Sequence, residues 1–207
     1  MFSEINEEFI IRLSVPQDAQ NIADLHRRCL PGTHPEYTVG TRPTSQNDAT
    51  LLACSPTGEL IAKTVLGVAR SAQELSAHLG VPVSIGAHQL PVLTTANTCS
   101  SDGASYLAAL LGAVLELALR LKINGAPVAF HMCTFNARSV ACRTQFEELG
   151  YVIRTSQGAA GIKATAQLNR RQFDAAFIRL TYDMFERKVP WHSYVGASAF
   201  EHLLEDA

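Results

Sequence analysis

The sequence predicts a mixed α/β fold built around one hydrophobic core. Three observations indicate this fold class: strand-like and helix-like segments alternate, one long segment has the apolar periodicity of a helix, and no internal repeat or low-complexity linker divides the chain. The 207 residues are 47% hydrophobic and 17% charged, which excludes a disordered protein and suffices for a core without disulfides. We therefore expect one domain over residues 1–190. The tail, 191–207, is expected to pack on the body or on a dimer partner.

Turn signals and apolar runs divide the first half of the chain into elements. In order, these are a strand at 9–13, a helix that stops at Pro31-Gly32, hairpin strands at 50–54 and 60–68, a short helix at 71–79 and a strand at 88–95. Residues 31–48 are rich in Pro, Gly, Thr and Asn, which is typical of a long binding loop or lid. Pro91 cannot donate to a ladder, so the strand around it is either an edge strand or carries a bulge.

The second half begins with the strongest helix signal of the chain. The predicted elements are a helix from 103 to 122 that ends at Asn124-Gly125, a strand at 128–133, a helix at 138–149, and strands at 151–153 and 176–180. Where a strand feeds a helix, free backbone N–H groups at the helix N-terminus favour anion binding. The turns near residues 103 and 137 are therefore candidate functional sites.

Charge and targeting features limit the function classes. Residues 136–190 contain 9 basic and 5 acidic residues, an excess that favours a small polyanionic ligand over a nucleic acid. Chance clustering of solvated charges is the alternative. The chain has no apolar run long enough to span a membrane, no signal-peptide core and five cysteines without metal-ligand spacing. We expect a cytoplasmic protein with reduced thiols, no metal and no membrane partner.

Two local motifs connect this order of elements with a known family. Ile11-Arg12 precedes Pro16-Gln17-Asp18 and an amphipathic helix, and Asn136-Ala137-Arg138-Ser139 leads to Phe146-Glu147-Glu148-Leu149-Gly150-Tyr151. Over about residues 9–185, the chain resembles the GNAT superfamily of acyl-CoA-dependent N-acyltransferases. The resemblance implies a mostly antiparallel central sheet flanked by helices. It also implies transfer of an acetyl or other short acyl group from acyl-CoA to a primary amine by direct attack, and we expect that amine to belong to a small molecule.

The resemblance also implies a donor site. In the family, backbone amides of the turn before the long helix hold the CoA pyrophosphate, and the matching positions here are Ser101, Gly103, Ala104 and Ser105. Ser100 replaces the usual leading Arg, and a turn that only caps the helix is the alternative. Main-chain groups of Val92, Leu93 and Thr94 would pair with the pantetheine arm, helped by Asn136. Arg138 and Arg143 are candidates for the 3′-phosphate.

The catalytic base and acid are harder to assign from the resemblance. Residues 81–101 contain no carboxylate that could act as the family's usual base. His88 is the first candidate base and His131 the second, each with a structural role as the alternative. Phe146 stands where the family often has an acidic Tyr, so Tyr151 is the candidate acid. Glu36 and Tyr37 could attract the ammonium group of the acceptor.

Two other readings of the sequence stay open. The altered turn also suits an acyltransferase whose donor is an acyl carrier protein, since its phosphopantetheine has no pyrophosphate to hold. The missing Arg and the missing strand carboxylate equally suit a non-catalytic GNAT-like binding module. A homodimer is possible, and the acceptor is not defined by the sequence.

Overall fold

The structure, a computed structural model, describes residues 10–29, 49–55, 57–101, 104–123, 125–158, 161–186 and 193–195. The helices in these ranges are α1 (Ala19–Cys29), α2 (Ala72–Leu79), α3 (Ala104–Arg120), α4 (Val140–Glu148) and α5 (Phe173–Glu186). The strands are β1 (Ile10–Leu13), β2 (Ala49–Cys54), β3 (Leu60–Ala69), β4 (Val92–Ser100), β5 (Lys122–Ile123), β6 (Ala126–Pro127), β7 (Phe130–Asn136), β8 (Val152–Gly158), β9 (Gly161–Asn169) and β10 (Ser193–Val195).

Eight of these strands form one sheet in the order β10-β1-β2-β3-β4-β7-β9-β8, and β5 and β6 form a separate hairpin. Neighbouring strands are antiparallel except at two places, β1 with β10 and β4 with β7. The expected mixed α/β class with a mostly antiparallel central sheet flanked by helices is therefore confirmed. Every helix in the described ranges is too short or too polar to cross a lipid bilayer.

Successive side chains of a strand point to opposite faces, so each face of the sheet buries its own cluster. On one face, Leu66 and Leu93 pack in a large cluster with residues of α3 and α5. On the other face, α1 covers Leu52 and Cys99, and α2 covers Val92 and Met132. The long helix and the two short helices therefore lie on opposite faces of the sheet.

The hairpin of β2 and β3 and the short helix α2 confirm the sequence-based prediction. Gly80 follows α2 with φ of 65°, the left-handed conformation that ends a helix readily at glycine. Leu30 and the loop 31–48 lie outside the described residues, as do residues 191–192 and 196–207 of the tail.

Three predictions about elements were wrong. Residues 176–180 belong to α5, because Phe173, Ala176 and Leu180 are buried at helical spacing. The predicted helix end at Asn124-Gly125 is wrong because α3 already ends at Arg120, and Gly125, with φ of 77°, lies between β5 and β6. The predicted strand at 88–95 is displaced: residues 87–89 form a single 3-10 turn, and Pro91 precedes β4.

Arg170 fastens the end of α3 to the rest of the molecule. The last carbonyl groups of a helix have no partner within it. The guanidinium of Arg170 donates to the carbonyls of Ala118 and Leu119, each at 3.0 Å, and its backbone N–H donates to Ala129 at 3.0 Å. Its side chain thus satisfies two of the last carbonyl groups of α3, the longest described helix, and its backbone links this end of the helix to the segment directly before β7.

We expect Arg170→Met to lower the free energy of unfolding by about 3 kcal/mol, because two helix carbonyls lose charged hydrogen bonds. Arg170→Lys should lose less, since it keeps the charge near the helix C-terminus. Urea denaturation would measure both. Arg171→Met removes an exposed neighbour and serves as control. Equal stability of the Arg170→Met and Arg171→Met variants would contradict this role.

Candidate active site

The sheet is interrupted between β4 and β7. The two strands pair from Val92 with Phe130 as far as Thr95 with Cys133, and no described residue extends this ladder. Both strands nevertheless continue, β4 to Ser100 and β7 to Asn136, and each keeps its other neighbour. Beyond Thr95 and Cys133, the edges of β4 and β7 that face this opening pair with no other strand of the described ranges. The opening, which we call the gap, is an extended slot whose two edges can donate hydrogen bonds to an inserted chain and accept them from it.

A bulge in β4 explains why the strands separate. Between the paired positions Lys63–Cys99 and Val65–Ala96, β3 contributes one residue and β4 contributes two. The extra residue bends and twists the strand that carries it. Because this bulge begins after Ala96, one residue beyond the last pair of β4 with β7, β4 turns away from β7 where the gap begins.

The turn from β4 into α3 lies at the open end of the gap. Its first residue, Ser101, is fixed to β3, since both its backbone N–H and its hydroxyl donate to the carbonyl of Ile61, at 2.9 and 3.2 Å. Asp102 and Gly103 lie outside the described residues. α3 begins at Ala104, so its first backbone N–H groups, including that of Ser105, are available to an anion.

A buried hydrogen-bond network lies at the closed end of the gap. Nδ1 of His131 is 2.7 Å from the hydroxyl of Tyr151, and Nε2 is 3.1 Å from the hydroxyl of Thr95. His131 is fully buried, and burial lowers its pKa to about 3. Burial raises the pKa of Tyr151 well above its ordinary value. Both groups are therefore neutral at neutral pH, and they hold the hydroxyl of Thr95, the last paired residue of β4.

A second buried group lies on the opposite face of β3. The side chain of Lys63 is 1% exposed, and burial lowers its pKa. Across the ladder it pairs with Cys99, whose thiol has its pKa raised to about 12 by burial. His26 of α1 is also buried. Desolvation lowers the pKa of His26, and the nearby charge of Lys63 lowers it further. A lysine inside an apolar strand was the sequence signal for this feature, which the sequence analysis did not use.

The structure locates most of the residues that the sequence singled out. Val92, Leu93 and Thr94 are buried on β4, but their backbone already pairs with β3 and β7, so the free edge begins after Thr95. Arg138 is exposed, and Arg143 lies on α4 with its guanidinium 3.7 Å from the Glu147 carboxylate.

Other candidates lie wholly or partly outside the described residues. The backbone of His88 forms part of a 3-10 turn, and that of Asn136 ends β7, but their side chains are not described. Glu36 and Tyr37 are outside the described residues altogether. Thr95 was missed by sequence reasoning, because nothing in the Thr94-Thr95 pair shows which hydroxyl reaches a histidine 36 positions later.

Several solved structures have a fold similar to that of this chain. The chain is similar to aminoglycoside acetyltransferase AAC(6')-Ib in complex with coenzyme A and kanamycin, with a TM-score of 0.59, 14% identity, and coverage of 81% of this chain and 98% of that one. It is similar to a CoA-dependent acyl-homoserine lactone synthase, BjaI, solved with SAM and isopentyl-CoA, with a TM-score of 0.55 and 15% identity. That match covers 94% of this chain and 99% of the other.

A third similar structure is the ribosomal-protein-S18-alanine N-acetyltransferase from Escherichia coli, with a TM-score of 0.53, 13% identity, and coverage of 77% and 90%. No protein-family model matches the sequence, and no curated protein is significantly similar to it. The chain has the GNAT fold, as the sequence predicts.

The buried network predicts how stability depends on pH. The unfolded chain protonates His131 near pH 6.5, whereas the folded chain does so only near pH 3. Between these values the unfolded state binds more protons, so folding stability falls as pH falls. We expect wild type to lose about 2 kcal/mol more than His131→Gln between pH 6.5 and about 5, at about 1.4 kcal/mol per pH unit. Urea denaturation across this range would measure the difference. Parallel pH profiles would contradict it.

Proposed function

We propose that this chain is an N-acyltransferase that moves an acetyl or other short acyl group from acyl-CoA to the primary amine of a small molecule by direct attack. The observation that carries the proposal is the interrupted pairing of β4 and β7 after Thr95 and Cys133. A gap of this kind offers free main-chain edges to an extended acyl-pantetheine arm. The shared fold supports the proposal, since structures with that fold were solved with coenzyme A or isopentyl-CoA.

The donor would bind along β4 and the turn that follows. Its arm pairs with the main chain beyond Thr95, on the side that faces β7. Its pyrophosphate meets the N-terminus of α3, whose first N–H groups and dipole favour an anion. The residues proposed for this contact are Gly103, Ala104 and Ser105, whereas Ser101, predicted from the sequence to join them, donates both its N–H and its hydroxyl to Ile61 and would only hold the turn in place. Asn136 would hold the arm from the β7 side, and Arg138 or Arg143 would meet the 3′-phosphate.

The reaction forms a C–N bond and breaks the C–S bond of the thioester. The attacking ammonium group must lose one proton before attack and a second as the amide forms, and the departing thiolate gains one from water. Because His131 and Tyr151 are fully buried, and burial makes His131 a weaker base and Tyr151 a weaker acid, we assign them to positioning: they hold the hydroxyl of Thr95, and with it the end of the β4–β7 ladder where the gap begins. His88 is then the proposed base. Glu36 and Tyr37 are proposed to attract the ammonium group.

Replacement of Thr95 would test the network. We expect Thr95→Val to lower kcat about tenfold, which corresponds to one lost hydrogen bond of roughly 1.4 kcal/mol. KM for the acyl donor should not change. Thr95→Ser keeps the hydroxyl and should retain kcat, which a purely structural role for the threonine methyl would not give. Steady-state kinetics would separate these effects. An unchanged kcat in Thr95→Val would show that this network has no role in catalysis.

The donor site can be tested by charge at the start of α3. Ala104→Glu places a carboxylate next to the proposed pyrophosphate site, and Ala104→Gln is the neutral control of the same shape. We expect Ala104→Glu to raise KM for acetyl-CoA about tenfold through like-charge repulsion, with kcat little changed. Ala104→Gln should behave like wild type. Equal KM values in the two variants would exclude this turn as the donor site.

The assay for the activity itself uses acetyl-CoA and a panel of primary amines, with release of free CoA as the readout. Acyl carrier protein carrying the same acyl group is the comparison donor, because Ser100 stands where an Arg would hold CoA. Turnover with the carrier alone would favour the carrier-dependent reading. A folded protein that transfers from neither donor would indicate a non-catalytic binding module.

A further inference from the structure

A pocket lies on the face of the sheet opposite α3. Its volume is about 240 Å³, below the roughly 300–1,000 Å³ typical of sites for drug-sized ligands, so it suits a small metabolite. The floor is formed by β7, β8 and β9, and the wall by the segment between α2 and β4. The floor residues are Met132, Val152, Arg154, Ser156, Thr165 and Gln167. The wall residues are Pro82, Val83, Ser84, Ile85 and Gln89.

The wall of the pocket is held in place by local hydrogen bonds. The backbone N–H of Val83 donates to the hydroxyl of Ser76 on α2 at 3.0 Å. Gln89 accepts a hydrogen bond from the backbone N–H of Gly86 at 2.9 Å, which closes the turn after Ile85. The first contact ties the segment to α2, and the second fixes the shape of its turn. The partly open space between this segment and the sheet therefore has a defined wall.

Thr165 gives the pocket floor a buried hydroxyl that a polar ligand could satisfy. Its side chain is 6% exposed, and its hydroxyl has no hydrogen-bond partner among the described residues. A buried hydroxyl without a partner costs about 1–3 kcal/mol. The amide of Gln167 and the hydroxyl of Ser156 line the same floor. A ligand that bonds to Thr165 would remove this cost.

The charge of the lining selects the kind of ligand. Arg154 is the only charged residue among the described residues that line the pocket, and the structure gives its guanidinium no partner within the described chain. The next cation on this face is Lys163, but its Nζ lies at the C-terminus of α2, 3.1 Å from where a Cβ of Gly80 would stand. One guanidinium and no carboxylate match a single negative charge. A carboxylate meets a guanidinium with two parallel hydrogen bonds, whereas a phosphate carries nearly two charges.

The pairing of β7 with β9 places the pocket floor next to the gap. Thr165 lies opposite Thr134, the residue immediately after Cys133, where pairing with β4 stops. The pocket opens on the face covered by α2, while α3 lies on the other face. A molecule in the pocket therefore reaches the gap from the side that the donor leaves open.

We propose that this pocket receives the acceptor of the acyl transfer, and that the acceptor carries a carboxylate held by Arg154 and a neighbouring polar group that bonds to Thr165. The inference rests on the proposed function and narrows the acceptor from a primary amine to an amino acid or a similar amino-carboxylate. The attacking amine faces the gap, and the carboxylate takes no part in bond formation.

Binding is the first test, because it does not depend on turnover. Each standard amino acid and its decarboxylated amine is titrated calorimetrically into wild type, Arg154→Gln and Arg179→Gln. Arg179 is an exposed arginine on α5 and serves as control. We expect at least one amino acid to bind about tenfold more tightly than its amine, the effect of one charge-assisted hydrogen bond. This preference should disappear in Arg154→Gln and persist in Arg179→Gln. Equal binding of the amino acid and its amine would overturn the proposal.

Kinetics is the second test. With an amino acid as acceptor, Arg154→Gln should raise KM for the acceptor about tenfold and leave KM for acetyl-CoA unchanged. Arg154→Lys, which keeps the charge without the paired donors, should fall between wild type and Arg154→Gln. Transfer to decarboxylated amines with undiminished kcat/KM would overturn this inference and leave the acyl transfer standing. Binding through Arg154 without transfer to any acceptor would overturn the proposed function and the acceptor role together.

Discussion

The extra residue in β4 is the constraint on which the candidate site depends. A parallel pair that continued past Thr95 would use up the main-chain groups of both strands and leave no edge for a ligand. The bulge before Cys99 prevents this, because it bends β4 while β3 still holds it on the other side. β7 is held in the same way by β9. The sheet therefore opens at one place without losing its continuity elsewhere.

The hydrogen-bond network of Thr95, His131 and Tyr151 at the closed end of this opening is buried and neutral, which agrees with the low charge of the central sequence. Residues 71–135 hold three acidic and two basic residues. His131 and Tyr151 stay uncharged because burial penalises their ionised forms. A neutral network keeps its geometry without counter-ions, and each of its hydroxyls and ring nitrogens is satisfied by another member. Catalysis at such a site would come from positioning and backbone hydrogen bonds more than from a charged acid or base.

Local features were predictable from the sequence, and features that depend on register were not. The hairpin of β2 and β3 and the helix α2 carry their own turn and cap signals, so both were found. The bulge depends on how residues 63–65 align with 96–99, which no local pattern records. Residues 176–180 form an apolar run too short to distinguish the strand period from the helical one.

In the candidate site, too, the residues could be chosen from the sequence but their contacts could not be predicted. His131 and Tyr151 were both chosen from the sequence, but their mutual contact and complete burial follow only from the packing of β7 against the segment after α4. Thr165 carries no sequence signal at all, since an unsatisfied hydroxyl can be recognised only from its surroundings. The residues that line the pocket come from four separate segments of the chain.

The two faces of the sheet then decide how an acyl transfer would proceed. A donor arm lying in the gap occupies the plane of the sheet, so its thioester can be attacked only from above or below that plane. The face under α3 and α5 is filled by the main core cluster, with Leu93 and Leu168 fully buried. The opposite face holds the pocket floored by Arg154 and Thr165. An acceptor would therefore approach from the α2 face, where a carboxylate fixed by Arg154 would leave its amine free to turn toward the gap.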